Sequence, residues 1–432
     1  MGIRDRLKAL REQSGASTFA GAAKRETDVA SAEFDQEQII AADSNGLVPD
    51  KALQLARGVS LRSRNSNEAS KAKSEAELAS AIGARVLAPG VLACTSFYPF
   101  PHVFGAGRLD HTSRAHAAAL LGDQRASPTR LVALDTETTG LAGGTGTLPF
   151  LTGVLIVDAD GATLCQWLLT RFDGEVSMLD ALDTKLQTED MLLTYNGKSY
   201  DLPLLDTRAE MHRTQSCLGE HAHLDLLATV RRAFSGRWPD CRLQTAEREL
   251  LQRRRSGDIP GSEIPAVWFD WMRGGPPHDL VRVLEHNRLD LIGLVALLER
   301  LQAVVESPVE HGARLLPILR HQEHSEAEIL KRLTNANEVL DVRERMELAR
   351  LARRHNQWDL AVAQWQILAN CGEPTAIEQL AKFNEHRQRD YARALGFTRR
   401  LMVHDGRRPE HVRREARLLR RMDRNVAENL AP

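Results

Sequence analysis

Cysteine pairs and long apolar runs are both missing from this sequence. The 432 residues include five cysteines, an odd number, and none of them forms a Cys-x-x-Cys pair. A disulfide framework or a cysteine-bound zinc site is therefore not expected. No apolar run approaches the roughly 20 residues that a membrane span needs, and the charged residues 1–7 do not resemble a signal peptide. We expect a soluble cytoplasmic protein with no membrane partner.

An excess of one charge is also missing from the chain as a whole. The net charge is −1, so the overall charge indicates no partner. Residues 311–432 nevertheless carry 23 Lys and Arg against 17 Asp and Glu. A basic C-terminal third favours an anionic polymer such as nucleic acid as the partner, although solvated helix faces would explain this modest excess almost as well.

Aromatic residues are scarce near the N-terminus, where the first 80 residues contain only Phe19 and Phe34. A segment so rich in Ala, Ser, Glu and Lys offers little apolar surface to offset chain entropy, so residues 1–80 are predicted to be largely disordered. Residues 81–125 contain apolar and aromatic residues between prolines and glycines. This pattern predicts short strands and loops that pack on a core.

The central residues 126–305 alternate between strand and helix patterns. Apolar runs at 131–134, 150–157, 163–170 and 191–195 predict strands, with a hairpin turn at 158–161. Helical spacing appears at 178–188, 202–212, 224–234 and 278–301. Antiparallel strands followed by strand–helix alternation predict an α/β domain with a mixed sheet flanked by helices.

The C-terminal residues 320–432 show a helical pattern that repeats. Leu348 and Leu380 are 32 residues apart, and Ala361 and Ala394 are 33 apart. A period near 34 residues is typical of tetratricopeptide-like helix pairs, which present a surface to protein partners. Two visible units leave a plain helical bundle as the alternative.

Two carboxylates follow the first central strand with one residue between them. Side chains two apart on a strand point to the same face, so Asp135 and Glu137 place two negative charges together at the strand end. Such a pair is costly unless a cation neutralises it. Hard divalent cations such as Mg²⁺ prefer carboxylate oxygens.

Further acidic residues follow in positions that could join this pair. Asp201 opens a helix just after the 191–195 strand, where ligands collect at a sheet edge, although a simple helix cap is the alternative. His286 and Asp290 lie four residues apart, on one face of an apolar helix. Four carboxylates could hold two divalent ions, Mg²⁺ or Mn²⁺, and His286 could orient a water molecule. This arrangement suits phosphodiester hydrolysis.

These motifs resemble a known family. Asp135-Thr-Glu-Thr-Thr-Gly140, Tyr195-Asn-Gly-Lys-Ser-Tyr-Asp201 and His286-Asn-Arg-Leu-Asp290 are similar to those of the DEDD exonucleases of the ribonuclease H-like superfamily, and more narrowly of its YprB-type family. The resemblance covers about two fifths of the chain, and also includes Gly257-Asp-Ile-Pro-Gly261. It implies a ribonuclease H-like fold, 3′–5′ polarity, and relationship to the exonuclease domain of family B DNA polymerases. His286 stands at the spacing that the superfamily otherwise gives to Tyr.

The same segments supply candidate substrate contacts, which are Thr138, Gly140, Asn196, Tyr200 and Arg242. Basic residues such as those at 253–255 could contact phosphates while tryptophans such as Trp268 and Trp271 stack unpaired bases, or these tryptophans could form a packed core. Asp225 is predicted to cap a helix, and His221 and His223 to be surface residues. 

We therefore predict a two-metal exonuclease that acts on DNA or RNA. A nucleic-acid-binding or scaffold protein with a vestigial nuclease fold is one alternative. A structure-selective endonuclease is another.

Overall fold

The computed structural model describes residues 68–122, 129–140, 146–214, 216 and 218–429. Nine strands are found there: β1 (Arg85–Ala88), β2 (Val91–Pro99), β3 (His102–Phe104), β4 (Gly107–Leu109), β5 (Leu131–Thr138), β6 (Pro149–Val157), β7 (Gly161–Leu169), β8 (Met191–Thr194) and β9 (Ala222–Asp225). The helices before the C-terminal region are α1 (Glu68–Ile82), α2 (Ser113–Leu121), α3 (Glu175–Lys185), α4 (Asp201–His212), α5 (Leu226–Phe234), α6 (Leu243–Leu250), α7 (Ile264–Met272) and α8 (His278–Glu306).

Seven of the strands form one mixed sheet in the order β1-β2-β7-β6-β5-β8-β9. The pairs from β1 to β5 are antiparallel, and β5, β8 and β9 run parallel. The predicted α/β class with a mixed sheet is therefore confirmed. The segment predicted to pack on the core contributes two strands, β1 and β2, to the sheet itself, and β3 pairs with β4 in a separate ribbon.

Alternating side chains of β5 enter two different cores. Leu131 and Ala133 pack into the core that contains α2, α5 and most of α8, whereas Val132 and Leu134 pack into the core that contains α3, α7 and the first two turns of α8. This alternation follows from the two-residue period of a strand, and it shows why the run is apolar throughout. The sheet is buried on both faces, so the first polar side chains of β5 appear only where the strand leaves these two cores.

Several elements differ from their prediction. The predicted helix 224–234 begins only at Leu226, because residues 222–225 form the edge strand β9. Helix α2 lies in residues 81–125, which were predicted to form only short strands and loops, and helices α6 and α7 were not predicted. Helix α1 begins at Glu68, inside the segment predicted to be disordered, and residues 1–67 lie outside the described residues. Within the part of the chain that the structure describes, no helix is long and apolar enough to cross a membrane.

The C-terminal region is helical, with α9 (Leu315–His321), α10 (Glu326–Asn335), α11 (Val342–Arg354), α12 (Trp358–Asn370), α13 (Pro374–Phe383), α14 (Tyr391–Asp405) and α15 (Pro409–Asn429). From α11 to α15 each helix packs against the next one. Leu348, Leu380, Ala361 and Ala394, which suggested the repeat, are all buried. The Arg314 N–H donates to the Ala233 carbonyl (2.8 Å), which joins this region to the end of α5.

Candidate active site

The end of β5 lies beneath the long helix α8, and a glycine permits this close approach. On β6, Gly153 pairs with Asp135. A Cβ at Gly153 would lie 2.1 Å from Oδ1 of Asn287 and 2.8 Å from Leu291, both on α8. Only glycine leaves room for the Asn287 side chain against the sheet. The close packing brings α8, with His286 and Asp290, next to the strand that carries Asp135 and Glu137.

Asp135 is held in place by a relay of two amides. Asn287 Nδ2 donates to Oδ2 (2.8 Å) and to the carbonyl oxygen (3.2 Å) of Asp135. Gln166 Nε2 on β7 donates in turn to Asn287 Oδ1 (2.8 Å) and to the Leu284 carbonyl (2.9 Å). Both amides are buried, so each of these hydrogen bonds fixes a side chain that has no access to water.

The carboxylates predicted from the motifs influence each other electrostatically. Burial, followed by the charges of Asp290 and Asp201, raises the pKa of Asp135 well above its usual range. Burial and the charges of Asp135 and Asp290 do the same to the pKa of Glu137. The carboxylates at the end of β5 therefore carry more negative charge than the nearby Arg255 neutralises. Groups in this condition bind either protons or a metal cation.

Asp201 is the first residue of α4, as predicted, and it meets β5 from the other side. Thr136 Oγ1 donates to its Oδ1 (2.5 Å). Burial raises the pKa of Asp201 to about 6, against the opposing effect of the Thr136 hydrogen bond. The N-cap residue of α4 is Tyr200, and its side chain makes no capping hydrogen bond. Asp201 therefore lies with the other carboxylates of the site and is not the N-cap of α4.

His286 and Asp290 face the strand carboxylates from α8. His286 Nε2 lies 4.0 Å from Glu137 Oε1 and 3.7 Å from Asp290 Oδ2. Burial alone would lower the pKa of His286, but its hydrogen bond to Asp258 and the charge of Asp290 raise it overall. The structure therefore places together all five residues predicted to be catalytic, which are Asp135, Glu137, Asp201, His286 and Asp290.

Arg255, one of the basic residues that could contact phosphates, is enclosed in this site. Arg255 Nη1 lies 2.5 Å from Asp290 Oδ1 and 3.1 Å from Asp258 Oδ2. Its other nitrogens donate to both carboxylate oxygens of the buried Glu247, at 2.8 and 2.6 Å. Phosphate binding by Arg255 is therefore the wrong interpretation, because its guanidinium is enclosed by three carboxylates.

Asp258 belongs to the Gly257-Asp-Ile-Pro-Gly261 motif and was not predicted to be a site residue. His286 Nδ1 lies 2.9 Å from its Oδ1. Gly257, just before it, has a φ of 72°, in the region that favours glycine, and this turn lets Arg255 and Asp258 reach the same cluster. This motif is the feature of the sequence from which Asp258 could have been predicted as a site residue. No local motif marks Gln166, because its contact with Asn287 depends on pairing between distant segments.

Three of the predicted substrate contacts form one cluster beside the carboxylates. Thr138 Oγ1 donates to the Gly140 carbonyl (2.8 Å) and lies 2.9 Å from the Tyr200 hydroxyl, which also donates to that carbonyl. These bonds fasten the turn after β5 to the residue that precedes Asp201. Substrate contact by this cluster stays a prediction.

The other two predicted substrate contacts lie elsewhere. Asn196 is exposed, has a φ of 71°, and donates its backbone N–H to Asp225 Oδ1 (2.8 Å). Asp225 also accepts from the Leu227 N–H (3.0 Å), which confirms it as the cap of α5. Arg242 is exposed at the start of α6, where its N–H donates to Asp240 (3.0 Å). The bonds described for Asn196 and Arg242 do not connect them to the carboxylates.

The tryptophans after the basic segment form a packed core. Trp268 is fully buried, stacks on Phe150 at 5.1 Å, and donates its Nε1–H to the Leu169 carbonyl. Trp271 is also buried and donates to the Thr170 carbonyl (3.3 Å). Of the two interpretations left open, base stacking by this pair is therefore wrong. The prediction of a surface His221 is also wrong, because its ring is buried beside the Gln187 carbonyl.

The donor set suits hard divalent cations, although the side chains do not form a ready-made cage. In the described ranges of the chain, no group of three His, Cys, Asp or Glu side chains is spaced for a metal ion. Asp290 instead pairs with Arg255. Carboxylate oxygens are nevertheless the ligands that Mg²⁺ and Mn²⁺ prefer. At Asp135, Glu137 and Asp201, whose pKa values are raised, a bound cation would compete with protons.

Comparison with known proteins agrees with this geometry. Residues 132–302, from the start of β5 to nearly the end of α8, match the RNase_H superfamily. The predicted ribonuclease H-like fold is thereby confirmed, and the site lies inside the matched range.

A relative supports the narrower resemblance. The uncharacterized protein YprB of Bacillus subtilis (strain 168) is 32% identical over 274 residues, which is 60% of this chain and 66% of that protein. The chain thus spans just under two thirds of the length of this relative. The match of residues 132–302 to the RNase_H superfamily suggests a nuclease.

Proposed function

We propose that the RNase_H domain is a metal-dependent nuclease that hydrolyses phosphodiester bonds. The observation that carries the proposal is the grouping of Asp135 and Glu137 with Asp201, Asp290 and His286, whose Nε2 lies 4.0 Å from Glu137 and 3.7 Å from Asp290. Burial and the charges of the neighbouring carboxylates raise the pKa of both Asp135 and Glu137. A fold that concentrates carboxylates at buried positions, where they destabilise one another, gains from a cation that neutralises them.

Asp135, Glu137, Asp201 and Asp290 would hold two Mg²⁺ or Mn²⁺ ions. Bound there, the ions would supply positive charge to the attacking water and to the oxygens of the scissile phosphate. The amide relay that ends at Asp135 and the Thr136–Asp201 bond orient two of these carboxylates before any ligand arrives. Arg255 neutralises part of the remaining negative charge near Asp290.

His286 would accept the proton of the attacking water through Nε2. The water oxygen forms a bond to phosphorus while the bond from phosphorus to the leaving oxygen of the shortened strand breaks, and that leaving oxygen takes a proton from solvent. Nε2 suits this role because it faces Glu137 and Asp290, the side of the ring on which the other site groups lie.

We propose a 3′–5′ exonuclease acting on DNA or RNA, with Thr138, Gly140 and Tyr200 beside the terminal nucleotide. Polarity rests on the resemblance to DEDD exonucleases. The C-terminal helices would serve as a tetratricopeptide-like surface for a protein partner, since the buried positions of α11 and α13, and of α12 and α14, recur at the repeat spacing.

The test uses single-stranded DNA and RNA labelled at the 5′ end, with Mn²⁺ or with EDTA. We expect a ladder of progressively shorter labelled products that requires Mn²⁺, and no cutting of a circular strand. Immediate release of a labelled mononucleotide would contradict the polarity, and cutting of the circle would indicate an endonuclease.

The Arg255–Asp290 ion pair is the observation that favours the alternative of a binding protein with a vestigial site, because it occupies one carboxylate with a fixed cation. That alternative predicts binding of the same oligonucleotides in EDTA and no cleavage of any of them with Mn²⁺.

A further inference from the structure

The two ring nitrogens of His286 face different groups. Nδ1 lies 2.9 Å from Asp258 Oδ1. Nε2 faces the carboxylate cluster, 3.7 Å from Asp290 Oδ2 and 4.0 Å from Glu137 Oε1. The ring is only 9% exposed. Its orientation is therefore set by a contact on the side opposite to the proposed chemistry.

Asp258 is itself held at both oxygens. Oδ1 also accepts the backbone N–H of Ile259 (2.9 Å). Oδ2 accepts from Arg255 Nη1 at 3.1 Å and from Gln244 Nε2 at 3.4 Å. Arg255 is fixed in turn by its two bonds to Glu247. Because Asp258 has this many partners, its side chain is held in one orientation. Its hydrogen bond with Nδ1 then holds the His286 ring in one orientation as well.

The charge of Asp258 decides which nitrogen of His286 carries the proton. Burial alone would raise the pKa of Asp258, but the hydrogen bond from His286 and the charges of His286 and Arg255 lower it below its usual value. An ionised carboxylate only accepts hydrogen bonds, so Nδ1 of His286 must be the donor. In the neutral ring, Nε2 then has a free lone pair directed at the carboxylate cluster.

We propose that Asp258 is a positioning residue that orients His286 and fixes its Nδ1–H tautomer, so that Nε2 accepts the proton of the attacking water. This inference rests on the proposed nuclease function. It gives a physical reason why His286 can serve at the spacing otherwise given to Tyr: a residue on the loop between α6 and α7 aims the shorter side chain. The proton moves from water to Nε2 while the Nδ1–H bond to ionised Asp258 is kept.

The kinetic test is a double-mutant cycle with Asp258→Asn and His286→Gln. We expect Asp258→Asn to lower kcat about 10²- to 10³-fold with little change in KM, since general-base catalysis contributes about 10²- to 10⁴-fold. In the His286→Gln background the same change should have almost no further effect on kcat. Asp240→Asn is the matched control, because Asp240 accepts bonds from Arg242 and Thr245 and none from a histidine. Equal losses of kcat in both backgrounds would overturn the proposal.

A second readout does not depend on activity. In protein with ¹⁵N-labelled histidine, NMR of the ring nitrogens at pH 8.5 should show His286 protonated at Nδ1 and bare at Nε2, with the His286→Gln spectrum giving the assignment. In Asp258→Asn this preference should weaken or reverse. Protonation at Nε2 in the wild-type protein would overturn the proposal. If the wild-type protein cleaves no substrate but shows the Nδ1–H tautomer, the nuclease function fails while the positioning by Asp258 stands.

Discussion

The close approach of α8 to the sheet predicts a large effect of adding one methyl group at Gly153. The new Cβ would lie 2.1 Å from Asn287 Oδ1 and 2.9 Å from its Cγ. Asn287 cannot yield without losing its bonds to Asp135 and Gln166. Overpacking costs about 1–3 kcal/mol, and leaving a buried hydrogen-bonding group without its partner costs about 1–3 kcal/mol. Alanine loses less chain entropy than glycine when the strand folds, but this stabilises the protein by only about 0.5–1 kcal/mol.

Gly153→Ala should therefore lower the free energy of unfolding by about 2–4 kcal/mol. The assay is urea unfolding followed by tryptophan fluorescence, where such a loss moves the midpoint by about 1 M or more. Gly396→Ala is the matched control, because Gly396 lies in α14 with open space around its Cβ position, so this change should be neutral or stabilising.

A double mutant separates the clash from a general sensitivity of β6. In the Asn287→Ala background the main obstacle is gone, so Gly153→Ala should cost little there. An unchanged midpoint for Gly153→Ala alone, or equal costs with and without Asn287, would refute the argument that this glycine admits Asn287 to the sheet.

Three further perturbations follow from the same contacts. Arg255→Ala should lower the free energy of unfolding by about 3–5 kcal/mol in urea titrations, because the buried Glu247 and the partly buried Asp258 and Asp290 lose their cation. Arg248→Ala, which breaks an exposed pair, should cost less than about 1 kcal/mol. Trp268→Ala should cost about 3–5 kcal/mol by removing a buried side chain; unchanged stability with weakened oligonucleotide binding would instead support base stacking. In EDTA, the raised pKa of Asp201, about 6, makes its charged form unfavourable in the fold. Stability should thus fall as the pH rises from 5 to 7.5, and Asp201→Asn should remove about 1.5 kcal/mol of that fall, so an identical pH dependence in both proteins would contradict the assignment.

The features that local sequence could predict are those fixed by neighbouring residues. The apolar run 131–134 and the two-residue period of β5 placed Asp135 and Glu137 on one face, and the apolar stripe of α8 placed His286 beside Asp290. Tight motifs of this kind encode both an element and the direction of its side chains.

The features that were missed depend on contacts between distant segments. Strand β9 is four residues long and is defined by pairing with β8 rather than by its own composition. Arg255 belongs to a basic run that suggests a phosphate contact, and only its tertiary partners show that it is enclosed by carboxylates. The core position of Trp268 depends in the same way on Phe150, far away in the sequence. Propensity and charge patterns carry no information on such pairings.

The most direct test of the proposed site compares Asp135→Asn with Asp160→Asn in the Mn²⁺-dependent cleavage assay. Asp160 lies exposed in the turn between β6 and β7, so its replacement controls for the loss of one acidic charge. If Asp135 helps to hold the ions, whose charge contributes several kcal/mol to catalysis, Asp135→Asn should reduce the cleavage rate by about 10³-fold or more. Asp160→Asn should cleave at the wild-type rate. Full cleavage by Asp135→Asn would contradict the assignment of the active site.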